Sequence, residues 1–449
     1  MRNLILSSSL LVVLVALPLA AQDRAFPWRA RSRRAPAPPR MEITPFFASA
    51  TLQDDQDGAA AKQNSSGIGL QLTDQDLDQV PQAPQTPQDT STQPPLSVAS
   101  NAISESDYCN RDRGPRCCLG DPISLFGTTA NGFHIGGWTQ WGYHNRNNIM
   151  FNNRQGEFQL HQGWLYLDKQ ATGGSNWGYR MDVVYGIDGP DLQAFGNAPT
   201  GAPSGWDNSW DFGSYGWAIP QAYLEFGGGS NSTLRIGKFL SPFGYEGLPA
   251  VENFFYSRTF TRYYIEPFSN TGMIAEVQQS PNSALLFGVT AGWDTAFDNN
   301  DHGFNLITGM RRQLSDNVRV YSTAALGDMG ARGSGTLTSI IADVRLGENA
   351  NYVSQFDMLN LNTNNVDEFS FINYLFYHFS PCFGIGTRLE WWKSDQLFTS
   401  TRSTWDWTIG ANYRPHANVV IRPEVRVDWG AGAVDPGQGI IGLDAIITF

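Results

Sequence analysis

The chain is predicted to be all-β, a closed transmembrane antiparallel β-barrel of about 16 strands behind a disordered N-terminal leader. Three observations predict it. From Gly132 to Phe449 the sequence is cut into short stretches that alternate with a period of two, as in Asn176-Trp-Gly-Tyr-Arg-Met-Asp-Val-Val-Tyr185. Charged residues are only 16% and aromatics reach 13%, yet mean hydropathy is −0.31. A membrane barrel reconciles these values, because only every second residue of a strand must be apolar. Finally, the connections between stretches sort by length, brief at one end of the sheet and longer at the other.

The stretches run 132–144, 157–168, 176–187, 217–226, 233–240, 271–279, 284–293 and 303–312. They continue at 317–326, 336–346, 351–361, 367–379, 382–393, 404–413, 418–429 and 439–449. All but the eight-residue 233–240 reach the roughly 9 to 11 residues that a tilted strand needs to cross a bilayer. Even-to-odd connections, such as Ser380-Pro381 and 414–417, are short and rich in Gly, Pro, Asn and Ser. The two longest gaps, 188–216 and 241–270, both fall in the odd-to-even class. Unpaired strand edges in hydrocarbon cost several kcal/mol per orphan group, so such a sheet must close. The last stretch puts Ile441, Leu443, Ala445, Ile447 and Phe449 on one face and Asp444 on the other.

The 131 residues before the barrel divide into three. Met1-Arg2, the apolar run Leu4 to Leu19 and Ala20-Ala21 read as a signal peptide over 1–21. Residues 22–107 are Pro- and Gln-rich, as in Val80-Pro-Gln-Ala-Pro-Gln-Thr-Pro87, and read as a flexible periplasmic segment. Residues 108–131 form a Cys-containing preface that would plug or brace the periplasmic mouth. Export permits disulfides among Cys109, Cys117, Cys118 and Cys382, and a bond from Cys109 to Cys117 or Cys118 would close a small loop. Cys-x-x-Cys spacing and nearby His are lacking, which disfavours zinc.

A net charge of −12 excludes nucleic acid as a partner. The six His are scattered, Asp54-Asp-Gln-Asp57 lacks the Gly and terminal Glu of a calcium loop, and no nucleophile-elbow motif is present. Catalysis, metal and cofactor are therefore not expected.

Three segments carry a family resemblance: Cys117-Cys-Leu-Gly-Asp121, Gly136-Gly-Trp-Thr-Gln-Trp-Gly-Tyr143, and Leu234-Arg-Ile-Gly-Lys-Phe-Leu-Ser-Pro-Phe-Gly-Tyr-Glu246. With the closing strand, residues 108–449 resemble the β-barrel porins of the OmpL-like type found in planctomycete-type bacteria. The resemblance implies a passive outer-membrane channel for small hydrophilic solutes or ions. Its terminal aromatic strand resembles the signal read by the barrel assembly machinery. A homotrimer is a candidate assembly, and outer-membrane lipid is the surrounding partner.

The 241–270 connection follows the fifth stretch, where general porins fold a constriction loop into the lumen. Its candidate constriction residues are Tyr245, Glu246, Glu252, Arg258, Arg262 and Glu266, with Asn253 beside them. Strand parity assigns Arg180, Asp182, Arg319, Asp343, Arg345, Arg388, Glu390, Arg422, Glu424 and Arg426 to the lumen wall, with Asp406 and Asp428. Acids on the loop facing arginines on the wall would set up a transverse field favouring small hydrophilic solutes. Ion pairs that merely hold the wall together are the competing reading. Trp141, Tyr143, Trp177, Tyr185, Trp293, Trp391, Trp392, Trp405, Trp407 and Trp429 are read as interfacial belts, and Trp138 as a luminal aromatic. Two other readings stand beside the porin: a structural or adhesive barrel with a closed lumen, and a soluble secreted carbohydrate-binding protein.

Overall fold

A single antiparallel sheet closes on itself. The structure, a computed structural model, describes residues 119–120, 122–126 and 132–449, apart from 149, 153, 172–175, 195–205, 229–230, 298–301, 363–365, 396–400, 432 and 434–435. The expected signal peptide, the 22–107 segment and Cys109, Cys117 and Cys118 lie outside the described residues.

The strands are β1 (His134–His144), β2 (Phe158–Lys169), β3 (Trp177–Gly186), β4 (Asp211–Phe212), β5 (Tyr215–Gly227) and β6 (Ser232–Leu240). They continue as β7 (Ser269–Ser280), β8 (Ser283–Trp293), β9 (Phe304–Ser315), β10 (Val318–Asp328), β11 (Ser334–Arg345) and β12 (Ala350–Leu361). The last five are β13 (Val366–Ser380), β14 (Phe383–Asp395), β15 (Arg402–His416), β16 (Val419–Gly430) and β17 (Gly439–Thr448). Sixteen of these are barrel staves and match the expected stretches one for one. The two-residue β4 only extends the hairpin that leads into β5, pairing Asp211 with Gly216 and Phe212 with Tyr215.

Every stave pairs antiparallel with its neighbour in sequence, and β1 pairs with both β2 and β17. The seam runs in register from Trp138 opposite Thr448 to His144 opposite Gly442. Phe449 completes it by exchanging two backbone hydrogen bonds with Gly137, at 2.9 and 3.0 Å. No described helix is long and apolar enough to cross a membrane. The sheet crosses instead.

Burial follows the period of two and is inverted relative to a soluble protein. Exposed outward residues are apolar: Leu165, Met181, Phe287, Leu306, Ile340, Phe371, Leu389 and Leu443. Inward residues of the staves include buried Gln140, Asp182, Gln355, Asp357, Arg388, Arg426 and Asp444. The inner wall is not polar all round, as the simple alternation implied. Ile274, Leu286, Ile307, Leu337, Ile341 and Val353, from β7 to β12, make an apolar sector inside the barrel. A period of two marks which face a residue is on; it does not report what fills the space in front of it.

The short turns gather at one end, including 281–282, 316–317, 381–382 and 417–418, and the long connections 187–214 and 241–268 gather at the other. At the short-turn end, Asn418 accepts from the Ile123 N–H at 2.6 Å and donates to the Ile123 carbonyl at 2.8 Å. Ala417 N–H donates to Leu119 at 2.9 Å. This fragment of the expected preface therefore lies against the β15–β16 turn. Cys382, in the β13–β14 turn, is disulfide-bonded.

An arginine in place of outward-facing Leu443 should destabilise the barrel by about 2–4 kcal/mol if the site lies near mid-bilayer. Equilibrium folding into lipid vesicles checks this, with Leu443→Ala as the milder reference.

Candidate functional site

The connection between β6 and β7, residues 241–268, folds into the barrel. Its course is set locally. Gly244 holds φ +81°, in the left-handed region, and any side chain there would run into the Glu266 carboxylate. Asn253 then staples the following turn, donating to the Gly247 and Pro249 carbonyls at 2.9 and 2.7 Å. A short helix, Phe260–Tyr264, is capped by Thr259, whose hydroxyl accepts from the Arg262 N–H at 3.0 Å.

Two kinds of contact fix the loop to the β14–β17 wall. The first is electrostatic. Arg388 sits 2.8 Å from Glu246 and 2.7 Å from Asp406, and also donates to the Ser257 carbonyl at 2.9 Å. Arg426 pairs with Asp428 at 2.6 Å and Asp406 at 3.1 Å, and donates to the Arg258 carbonyl at 2.5 Å. Arg422 grips Asp444 and donates to the Ala250 and Asn253 carbonyls at 3.0 and 2.6 Å. The wall acids do the converse. Glu390 accepts from the Phe260 and Thr261 N–H groups at 2.8 and 2.7 Å, the orphan donors of the short helix. Glu424 accepts from Tyr256 and Ser257 N–H groups at 2.9 and 3.1 Å.

The second contact is steric. Inward positions of β14, β15, β17 and β1 carry glycine where the aromatic residues of the loop arrive. A Cβ on Gly386 would lie 2.7 Å from the Phe254 ring, and one on Gly410 3.3 Å from Phe255. A Cβ on Gly442 would lie 2.9 Å from the Tyr256 ring, and one on Gly142 2.5 Å from its hydroxyl. Trp392 completes the fit, stacking on Phe260 and Tyr264 with centroids 5.5 and 4.9 Å apart. Tyr256 also ends a buried chain: His161 Nε2 is 2.5 Å from its hydroxyl, and His161 Nδ1 is 3.0 Å from Asp188.

The remaining residues expected at the site divide in two. Arg258, Arg262 and Glu266 are buried, with Arg262 paired to Glu266 at 2.7 Å and Gln355 donating to Glu266 at 2.7 Å. Burial lowers the Arg258 guanidinium to about 10. Tyr245 packs at a tilt against Tyr374, with centroids 4.9 Å apart, and its N–H donates to Gln355 at 2.9 Å. The rest border open space. Arg180, held to Asp182 at 2.7 Å, lines a cavity between the loop and β3–β8, and Glu252 stands at its edge. Arg319, Asp343, Arg345 and Glu252 line a larger cavity at the short-turn end.

Arg388, Arg422 and Arg426 thus do not face the loop acids across water, as the transverse-field expectation had it. They are at most 1% exposed and bond the loop directly. Closeness to strand ends misplaced Trp392 and Trp293 in the interfacial belt. Both are buried inside, whereas Trp141, Trp177, Trp405, Trp407 and Trp429 are exposed outside. Adjacent residues of one strand cannot share a face, so Trp391-Trp392 carried the signal that one of them points inward. Trp138 stacks inside on Trp164 at 4.8 Å.

The model of the family described as "Putative beta-barrel porin-2, OmpL-like" matches residues 132–449, the whole of the barrel. The chain belongs to this family. It is an outer-membrane porin. No curated protein matches it. Among solved structures it is similar to the outer membrane channel DcaP of Acinetobacter baumannii, at 11% identity and TM-score 0.49, over 72% of this chain and 99% of that one. OmpT of Vibrio cholerae gives 9% identity and TM-score 0.48, over 73% and 100%. The anion-selective porin of Comamonas acidovorans gives 10% and 0.46, over 71% and 99%.

Arg388→Ala in this porin leaves Glu246 and Asp406 buried with a charge removed between them. Such a loss costs about 3–5 kcal/mol, read as a lower midpoint of denaturant unfolding. Gly386→Leu should evict the Phe254 ring and cost about 1–3 kcal/mol by overpacking, with a rise in single-channel conductance as the loop loosens.

Proposed function

We propose that this porin passes small hydrophilic solutes or ions, by passive diffusion and without catalysis, along the space left between a fixed 241–268 loop and the β3–β11 wall. The observation that carries the reading is the loop itself, seated inside the barrel and bonded to Arg388, Glu390, Arg422, Glu424 and Arg426. With those groups consumed in holding the loop, selectivity falls to the charges that border the cavities: Arg180, Glu252, Arg319, Asp343 and Arg345. Tyr245, Glu246, Arg258, Arg262 and Glu266 act as the frame of the constriction.

The same reading takes residues 1–21 as a signal peptide, 22–107 as a periplasmic segment and 108–131 as the brace of the short-turn mouth. Cys109, Cys117 and Cys118 supply the disulfide chemistry there. It also takes β17 as the strand offered to the assembly machinery and a homotrimer as the assembly. A barrel whose lumen is shut is the second reading, favoured by the near-zero exposure of the wall charges on β14–β17.

Planar-bilayer recording separates the two. The mature chain should give stable ohmic steps, and replacing 244–265 by a short linker should enlarge them severalfold. Silence in the mature chain with steps in the deletion would favour the shut barrel. Silence in both would end the channel reading.

Glu252 adds a pH dependence. Burial pushes its carboxyl up to about 7, against the pull of Arg180 and Arg258. Protonation as pH falls through that value removes a negative charge from the path, so cation preference should drop below pH 7. Glu252→Gln should flatten the profile measured by reversal potential. Asp191, raised to about 7 by burial and neighbouring Asp188, lies in the 187–214 connection, and Asp191→Asn serves as the comparison.

A further inference from the structure

Beneath the Asn253–Phe254 tip of the loop, at the short-turn end, lies a cavity of about 160 Å³. A second space of about 270 Å³ adjoins it at the rim and shares Gln313, Asp316, Arg319 and Arg345. The inner side is aromatic. Phe254 and Tyr245 both pack on Phe376, with centroids 4.9 and 6.3 Å apart.

The polar side is built differently from an ion site. Three guanidiniums, Arg319, Arg345 and Arg414, are interleaved with the carboxyls of Asp316, Asp343 and Glu348, beside the Glu252 carboxyl, which burial raises to about 7. Arg319 and Asp343 are direct register partners on β10 and β11, so opposite charges sit side by side instead of at separate poles. An anion finds no positive charge concentrated for it, and a zwitterion finds no pair of separated poles. The side-chain amides of Asn317 and Asn349, also at the wall of the cavity, make no hydrogen bond among the described residues.

Mixed donors and acceptors suit hydroxyl groups, each of which both donates and accepts. An aromatic surface suits the apolar C–H face of a sugar ring, which water solvates poorly. From this juxtaposition of an aromatic floor with charge-balanced, interleaved donors and acceptors, we infer that the vestibule is a binding site for a neutral saccharide ring. The inference deepens the channel reading and rests on it, since it makes this cavity the place where the solute pauses at the short-turn mouth.

The test uses the mature full chain in detergent micelles and isothermal titration calorimetry with D-glucose, glycine and inorganic phosphate in turn. Heat of binding with glucose alone is expected. Arg345→Ala and Asn349→Ala, both at the solvated rim, should each weaken it at least tenfold, with the barrel checked by its heat-dependent gel mobility. Heat with phosphate or glycine in place of glucose would make the cavity an ion site and overturn the inference, as would no heat with any of the three. Glucose binding that both variants leave unchanged would also overturn it, by placing the sugar elsewhere. Bilayer conductance keeps the two readings apart. Steps without glucose binding sink the saccharide site and leave the channel. Binding without steps leaves the site and sinks the channel.

Discussion

The arrangement inside the barrel depends on Arg388. Its guanidinium is wholly buried between a loop acid, Glu246, and a wall acid, Asp406, and one of its nitrogens also donates to the loop backbone at Ser257. A buried cation is tolerable only when its partners surround it, and the partners are tolerable only with the cation in place. The loop therefore cannot leave the wall one contact at a time. Arg422 and Arg426 repeat the pattern on β16, with Asp444 and Asp428 as their wall acids. Withdrawal of the loop would break the bonds these three cations make to it and uncover the apolar sector of β7–β12 to water at once. A loop held fast against the wall follows from these costs.

The division of the inner wall explains where solutes can go. On β14–β17 the loop aromatics fill sockets left by glycine, and the charges there are spent on the loop. Along β3–β8 and at the short-turn end the interior is looser, and charged residues such as Arg180 and Arg319 border empty space. One barrel thus carries two interiors, one filled by the loop and one left open.

The fold was legible because each stave is exposed to lipid on alternate residues, and lipid enforces that alternation strictly. Arg388 and Arg426 could be assigned inward for the same reason. What could not be read was the use of those side chains. Nothing in the spacing of Glu390 tells that it caps the N–H groups of Phe260 and Thr261, since its partner lies far away in sequence. The sockets were hidden too. Gly386, Gly410, Gly442 and Gly142 read as ordinary strand glycines until Phe254, Phe255 and Tyr256 are placed over them. Trp392 was misread by composition, because tryptophan near a strand end was taken as a belt residue without asking which face its neighbour Trp391 occupied.

The seam between β1 and β17 has a temporal consequence. The earliest stave to emerge from the ribosome must find the latest, so its edge stays unpaired while everything between them is made. Such a sheet can close only once its last stave is made, with the Phe449 clasp on Gly137 as the closing stitch. A clipped final stave would leave a cylinder that is folded almost everywhere and sealed nowhere.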